Sequence, residues 1–123
     1  MSKRILVVED HEDNRQILRD LLTSADYEMT EAENGEEALA AVAKERPDLI
    51  LMDIQLPLLD GYEATRRIKA DPALRAIPII VVTSYALSGD EVKARDAGCD
   101  AYVPKPYSPR QLLAKIREYL PTS

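Results

Sequence analysis

The 123 residues are 46% apolar and 31% charged, enough to pack one core of ordinary domain size and too little for a second. Twenty-two acidic against sixteen basic side chains leave a net charge of −6, which argues against a dedicated binder of nucleic acid or anionic membrane. A lone cysteine, Cys99, cannot close an internal disulfide, and the longest apolar run, Ala76–Val82, is far too short to insert in a membrane. The apolar stretch after Lys3 and Arg4 stops at Glu9-Asp10, so it is not a signal peptide, and one cytoplasmic domain over residues 1–123 is expected.

In chain order, the first element is Ile5–Val8, an aliphatic run of strand length that ends in Glu9-Asp10. Ile17, Leu18, Leu21, Leu22 and Ala25 then repeat at helical spacing. Glu28–Ala32 alternates apolar with polar and reads as an edge strand. Asn34 with Glu37 has capping-box spacing and opens a second helix. Leu49–Met52 is again wholly apolar and runs into Asp53, and Asp60 with Glu63 opens the next helix. Ile79–Val82 leads to Thr83-Ser84. The helix predicted from Ser88 to Ala97 has Val92 as its only large apolar residue, so it should be the least firmly docked. Ala101–Val103 precedes Lys105-Pro106. Ser108, Pro109 and Gln111 form the opening of a last helix, with Leu112, Leu113, Ile116 and Leu120 on its inner face.

Strand and helix thus alternate five times with short connections. That predicts an α/β fold, a doubly wound five-stranded parallel sheet with right-handed crossovers. The natural strand order is 2-1-3-4-5, with its switch point between the first and third strands. In such a sheet the residues after each apolar run share one edge. Glu9, Asp10 and Asp53 should crowd there, with Thr83 and Lys105 beside them. Each like-charged pair at ~4 Å repels by roughly 4 kcal/mol at an effective dielectric near 20. A retained proton or a hard divalent cation relieves this, and oxygen ligands with room for water suit Mg²⁺. Carboxylates, Mg²⁺, a lysine and a hydroxyl are parts suited to phosphoryl transfer onto a nucleophilic aspartate. Asp53 is the candidate nucleophile, with Glu9 and Asp10 holding the cation.

Glu9-Asp10, Leu51-Met-Asp-Ile-Gln-Leu-Pro57 continuing to Asp60-Gly61, Thr83 and Lys105-Pro106 together resemble the receiver domain of two-component response regulators. The resemblance runs from Lys3 to about Leu120 and implies a flavodoxin-like (βα)5 fold. It further implies that Asp53 accepts phosphate from a sensor histidine kinase or a histidine phosphotransfer protein. Mg²⁺ would be bound by Glu9, Asp10, Asp53 and the backbone carbonyl of Gln55. Thr83 and Lys105 would contact the phosphoryl group, Tyr102 would occupy the switch-aromatic position, and Pro106 would follow a cis bond. Gln55 and Tyr85 would flank the phosphoryl group and tune its hydrolysis. Asn14, Arg15, Leu18, Pro106, Tyr107 and Pro109 are candidates for docking the donor, and the Ser88–Leu120 face for a phosphorylation-dependent dimer.

No effector module follows the last helix, so the expected type is a stand-alone receiver similar to DivK-like regulators, or a receiver separated from a hybrid kinase. It would be a phosphoacceptor signalling protein rather than an enzyme, acting on a downstream protein without direct contact to nucleic acid or insertion in a membrane. Three rival readings differ from this one. An aspartate-nucleophile phosphatase needs an acid where Gln55 stands. A nucleotide or flavin binder needs a phosphate loop where Glu9-Asp10-His-Glu-Asp13 stands. A receiver-shaped scaffold that is never phosphorylated is the alternative, and Mg²⁺-dependent phosphoryl uptake separates it.

Overall fold

The computed structural model describes residues 3–54, 56–83 and 90–120, without the side chains of Thr83, Asp90 and Glu91. Ten elements alternate along it. They are β1 (Arg4–Val8), α1 (Glu12–Ser24), β2 (Glu28–Ala32), α2 (Gly35–Lys44), β3 (Leu49–Asp53), α3 (Gly61–Ala70), β4 (Ile79–Thr83), α4 (Asp90–Ala97), β5 (Ala101–Pro104) and α5 (Pro109–Tyr119). All strand pairs are parallel, and the order is β2-β1-β3-β4-β5, as the alternation predicted.

Side chains of a strand alternate between faces, so each central strand feeds two cores. Leu6, Val8, Ile50, Met52, Ile79 and Val81 pack under α2, α3 and α4 with Ala38, Ala64, Ile68 and Ala94. Ile5, Val7, Leu49, Leu51, Ile80, Val82 and Val103 pack under α1 and α5 with Leu18, Leu22, Leu112 and Ile116. Both faces are covered, which is why these strands read as unbroken apolar runs. The chain has no phenylalanine or tryptophan, so the cores are aliphatic. Tyr27 is the buried aromatic among the described residues, and its hydroxyl donates to the Leu120 carbonyl at 2.9 Å.

The caps follow the predicted residues. Asn34 accepts from the Glu37 amide at 2.8 Å, Asp60 from the Glu63 amide at 2.9 Å, and Ser108 forms a reciprocal capping box with Gln111. The predicted Ser88 start of the fourth helix lies outside the described residues. One packing expectation is corrected. On α1 the buried residues are Arg15, Leu18 and Leu22, and Ile17 is 60% exposed. On α4 Val92 is 52% exposed, and the described buried residues are Ala94 and Ala97. Among the described side chains its core contact is thus two methyl groups, in keeping with the thin docking its sequence suggested.

Candidate functional site

Parallel strands end on one edge, and the register shows which ends meet. Val8 pairs with Met52 and Asp53 with Val82, so the residues after β1 flank the last residue of β3. Lys105 enters from the far side of β4, just beyond β5. Its ammonium Nζ lies 3.3 Å from Glu9 Oε1 and 3.3 Å from Asp53 Oδ2. Glu9 and Asp53 are 3% and 8% exposed. The Lys105–Pro106 peptide bond is cis.

Glu9 is held from several sides. Oε2 accepts from the His11 amide at 3.0 Å, and Oε1 accepts from Asn14 Nδ2 at 3.3 Å. Burial alone would raise its carboxyl. The His11 amide, a hydrogen bond with Asp53, the Lys105 charge and contact with Asp10 outweigh burial and hold it down at about 2. Burial likewise pulls the Lys105 ammonium down, and the Asp53 and Glu9 carboxylates more than offset it. Both groups are thus charged at neutral pH. Burial pushes the nearby Tyr107 hydroxyl up.

Asp10 differs from Glu9. Its Oδ1 is shut off from solvent and accepts no hydrogen bond, although His11 Nδ1 lies 3.0 Å away at ion-pair distance. Glu9, Asp10 and His11 can bring one ligand atom each within 4.8 Å of one another. Glu9, Asp10 and Asp53 bring three carboxyl groups to an edge where Lys105 supplies one ammonium. An orphaned carboxylate oxygen and more carboxyl groups than one lysine can match, all of them oxygen donors, fit a hard divalent cation such as Mg²⁺.

The β3–α3 loop is held from two sides. A Cβ on Gly61 would lie 2.2 Å from the Asp53 carbonyl oxygen, and one on Gly35 would lie 2.2 Å from the Leu59 carbonyl oxygen. Backbone closes on backbone at both glycines, and the Gly61 amide donates to the Ile54 carbonyl at 3.1 Å. Asp53 thus projects from a strand end whose exit path is fixed. An apolar groove of about 680 Å³ runs between α1 and α5 and opens beside the acids; Ile17, Leu21, Leu112 and Pro109 are among its walls.

The structure brings Glu9, Asp10, Asp53 and Lys105 together. Gln55, Tyr85 and the Thr83 side chain lie outside the described residues. Tyr102 is half-buried against the α2–α3–α4 core. Arg15 is buried and cannot meet a docking partner, whereas Leu18, though largely buried, lines the groove with Asn14, Pro106, Tyr107 and Pro109, and Ile17, not among the docking candidates, faces solvent. The signal for this was the phase of the helix: positions 15, 18 and 22 form one stripe, so Arg15 shares the inner face with the two leucines.

The response regulator receiver domain family matches residues 5–117. The polar-differentiation response regulator DivK of Brucella anthropi is 47% identical over 98% of both chains. The receiver domain of the Pseudomonas aeruginosa sensor histidine kinase PA1611, solved with magnesium coordinated in its active-site cleft, superposes with a TM-score of 0.91. It is 36% identical and covers 99% of this chain and 100% of its own. The phosphorylated cyanobacterial phytochrome response regulator RcpA gives a TM-score of 0.86 at 31% identity, over 100% of this chain and 97% of its own. The chain belongs to the response regulator receiver domain family, the phosphoacceptor modules of two-component signalling.

Proposed function

We propose that Asp53 is the phosphoacceptor, that Glu9 and Asp10 hold Mg²⁺ with Asp53 and the Gln55 carbonyl, and that Lys105 pairs with the transferred group. The observation that carries this is the position of Lys105 Nζ, 3.3 Å from both Glu9 and Asp53 at the carboxyl edge of the sheet. Receiver domains bind Mg²⁺ and engage histidine kinases and phosphotransfer proteins, so the family favours phosphorylation over the scaffold alternative.

In the forward step an Asp53 carboxylate oxygen attacks phosphorus, the P–N bond to the donor histidine breaks, and the released imidazole takes up a proton. Bound Mg²⁺ would supply charge neutralisation for the phosphoryl oxygens. Lys105, already between the two acids, follows the new charge, and the low Glu9 pKa keeps that ligand deprotonated. In the hydrolytic step water attacks phosphorus, the P–O bond to Asp53 breaks, and inorganic phosphate leaves with the Asp53 carboxylate restored. These steps on itself are the chain's chemistry. Thr83 and Tyr102 would pass the change to α4, and Tyr85 and the Gln55 side chain would set how readily water arrives. The donor's helix enters along the groove between α1 and α5, where exposed Ile17 and Pro109 meet it. Output passes to a downstream protein in the cytoplasm, in keeping with the unpaired Cys99.

The test is intact mass after incubation with acetyl phosphate, with and without Mg²⁺, beside Asp53→Asn. One phosphoryl adduct that requires both Mg²⁺ and Asp53 is expected. An adduct on Asp53→Asn would move the acceptor elsewhere. Failure of the wild type to take up either phosphoryl or beryllofluoride would favour the scaffold.

A further inference from the structure

Arg15 is a charged side chain sunk into the inner face of α1, only 6% exposed. Buried guanidinium groups need every donor occupied, and here four contacts share the work. Nε donates to Glu31 Oε1 at 3.1 Å, and Nη2 donates to Glu12 Oε2 at 2.5 Å and to Glu33 Oε1 at 3.1 Å. The fourth contact differs in kind. Nη1 donates at 2.9 Å to the backbone carbonyl of Glu9, and that bond is the buried one of the set.

The Glu9 peptide is thereby held on both sides, its amide by the Ala32 carbonyl at 3.0 Å and its carbonyl by Arg15. Its carbonyl belongs to the peptide that continues into Asp10, so its direction sets where the Asp10 side chain leaves the backbone. Asp10 needs this more than Glu9 does. Glu9 is aimed by His11, Asn14 and Lys105, whereas Asp10 Oδ1 accepts no hydrogen bond.

We infer that Arg15 is a positioning residue for the cation site: through the Glu9 carbonyl it fixes the backbone that aims Asp10, and so sets the affinity for Mg²⁺. This rests on the reading of Glu9 and Asp10 as metal ligands. The effect is geometric rather than electrostatic, because the Arg15 charge is already matched by Glu12, Glu31 and Glu33. Arg15→Lys therefore separates the two. It keeps the charge, but a single ammonium cannot hold the Glu9 carbonyl while also spanning three carboxylates.

The experiment is calorimetric titration of Mg²⁺ into the wild type, Arg15→Lys, Arg15→Met and Glu33→Gln, with the melting temperature of each recorded without Mg²⁺. Glu33 belongs to the same ion-pair network yet does not touch Glu9, so it reports the purely structural contribution. Both Arg15 variants should lose roughly 10-fold or more in Mg²⁺ affinity, the scale of losses at groups that orient metal ligands. Glu33→Gln should stay within about 2-fold, and phosphoryl uptake by Arg15→Lys at saturating Mg²⁺ should return to the wild-type level. Wild-type affinity in Arg15→Lys, or a loss that follows melting temperature equally in Glu33→Gln, would overturn the inference. A wild type that binds no Mg²⁺ would instead overturn the metal-ligand reading, and the inference with it.

Discussion

Helices α1 and α4 lie on opposite faces of the sheet and are docked by different chemistry. α1 inserts Leu18 and Leu22 into the core and ties the end of β1 to β2 through Arg15. Burying two leucines stabilises that contact by about 3–6 kcal/mol before any polar contribution. Among its described side chains α4 buries Ala94 and Ala97 and leaves Val92 outside, a contribution of about 2 kcal/mol at most. A segment attached so thinly can shift when charge changes beside it, whereas the acid-bearing side must keep its geometry to hold a cation. The difference teaches that this fold keeps a rigid wall, α1, and a thinly docked wall, α4, on opposite faces of its sheet.

Substitutions ranked by size break or sharpen that contrast. Leu22→Ala, at a fully buried site on the rigid wall, should cost about 4 kcal/mol in urea denaturation. Gly61→Ala should cost about 3 kcal/mol, since the new methyl meets the Asp53 carbonyl, and phosphoryl uptake should fall with it because the strand end has to move. If the stability loss came without a loss of uptake, the β3–α3 loop would be slacker than its backbone contacts indicate.

Thr65 on α3 carries a fully buried hydroxyl without a hydrogen-bond partner, so Thr65→Val should raise stability by about 1 kcal/mol. Tyr27 tests the opposite end of the rigid wall. Burial raises its hydroxyl above the ordinary 10.0, so its stabilisation is complete below that pH and is lost as pH rises towards the higher folded value. Tyr27→Phe should cost about 1 kcal/mol at neutral pH, from the lost bond to Leu120, and should flatten that alkaline decline. Val92→Ala should change stability by less than about 0.5 kcal/mol. A cost near that of Leu22→Ala would mean that α4 is as firmly docked as α1.

Much of this was legible from the chain because strand ends in a parallel sheet are adjacent by topology. Unbroken aliphatic runs marked the strands, and the residues after them, Glu9, Asp10, Asp53 and Lys105, needed only the strand order to be placed together. Caps were legible for the same reason, since Asn34, Asp60 and Ser108 act within one helical turn. What escaped was which face of a helix turns inward when both faces carry apolar residues. Ile17 and Leu18 are neighbours in sequence and differ in fate, because the core takes the stripe of Arg15, Leu18 and Leu22. An arginine on that stripe conflicts with its usual place at the surface, and the conflict resolves only when the Glu9 carbonyl and three carboxylates are seen around it. The reach of Lys69 was equally hidden. Its Nζ donates to the Arg75 and Ile77 carbonyls and to Asp100, partners that the turn after α3 and the start of β5 bring together.

The two glycines beside the β3–α3 loop also shape how the chain can diversify. At positions 35 and 61 only a hydrogen atom fits, so drift there is blocked by backbone rather than by any side-chain role. Between them the loop carries its own tolerance at Pro57 and Leu58, both open to solvent, with Leu58 78% exposed. Leu58 also sits at φ 68°, where asparagine or glycine is at greater ease than leucine. The loop therefore leaves a narrow window for change close to Asp53, one that alters the exposed surface while the bracket of backbone around the strand end stays closed.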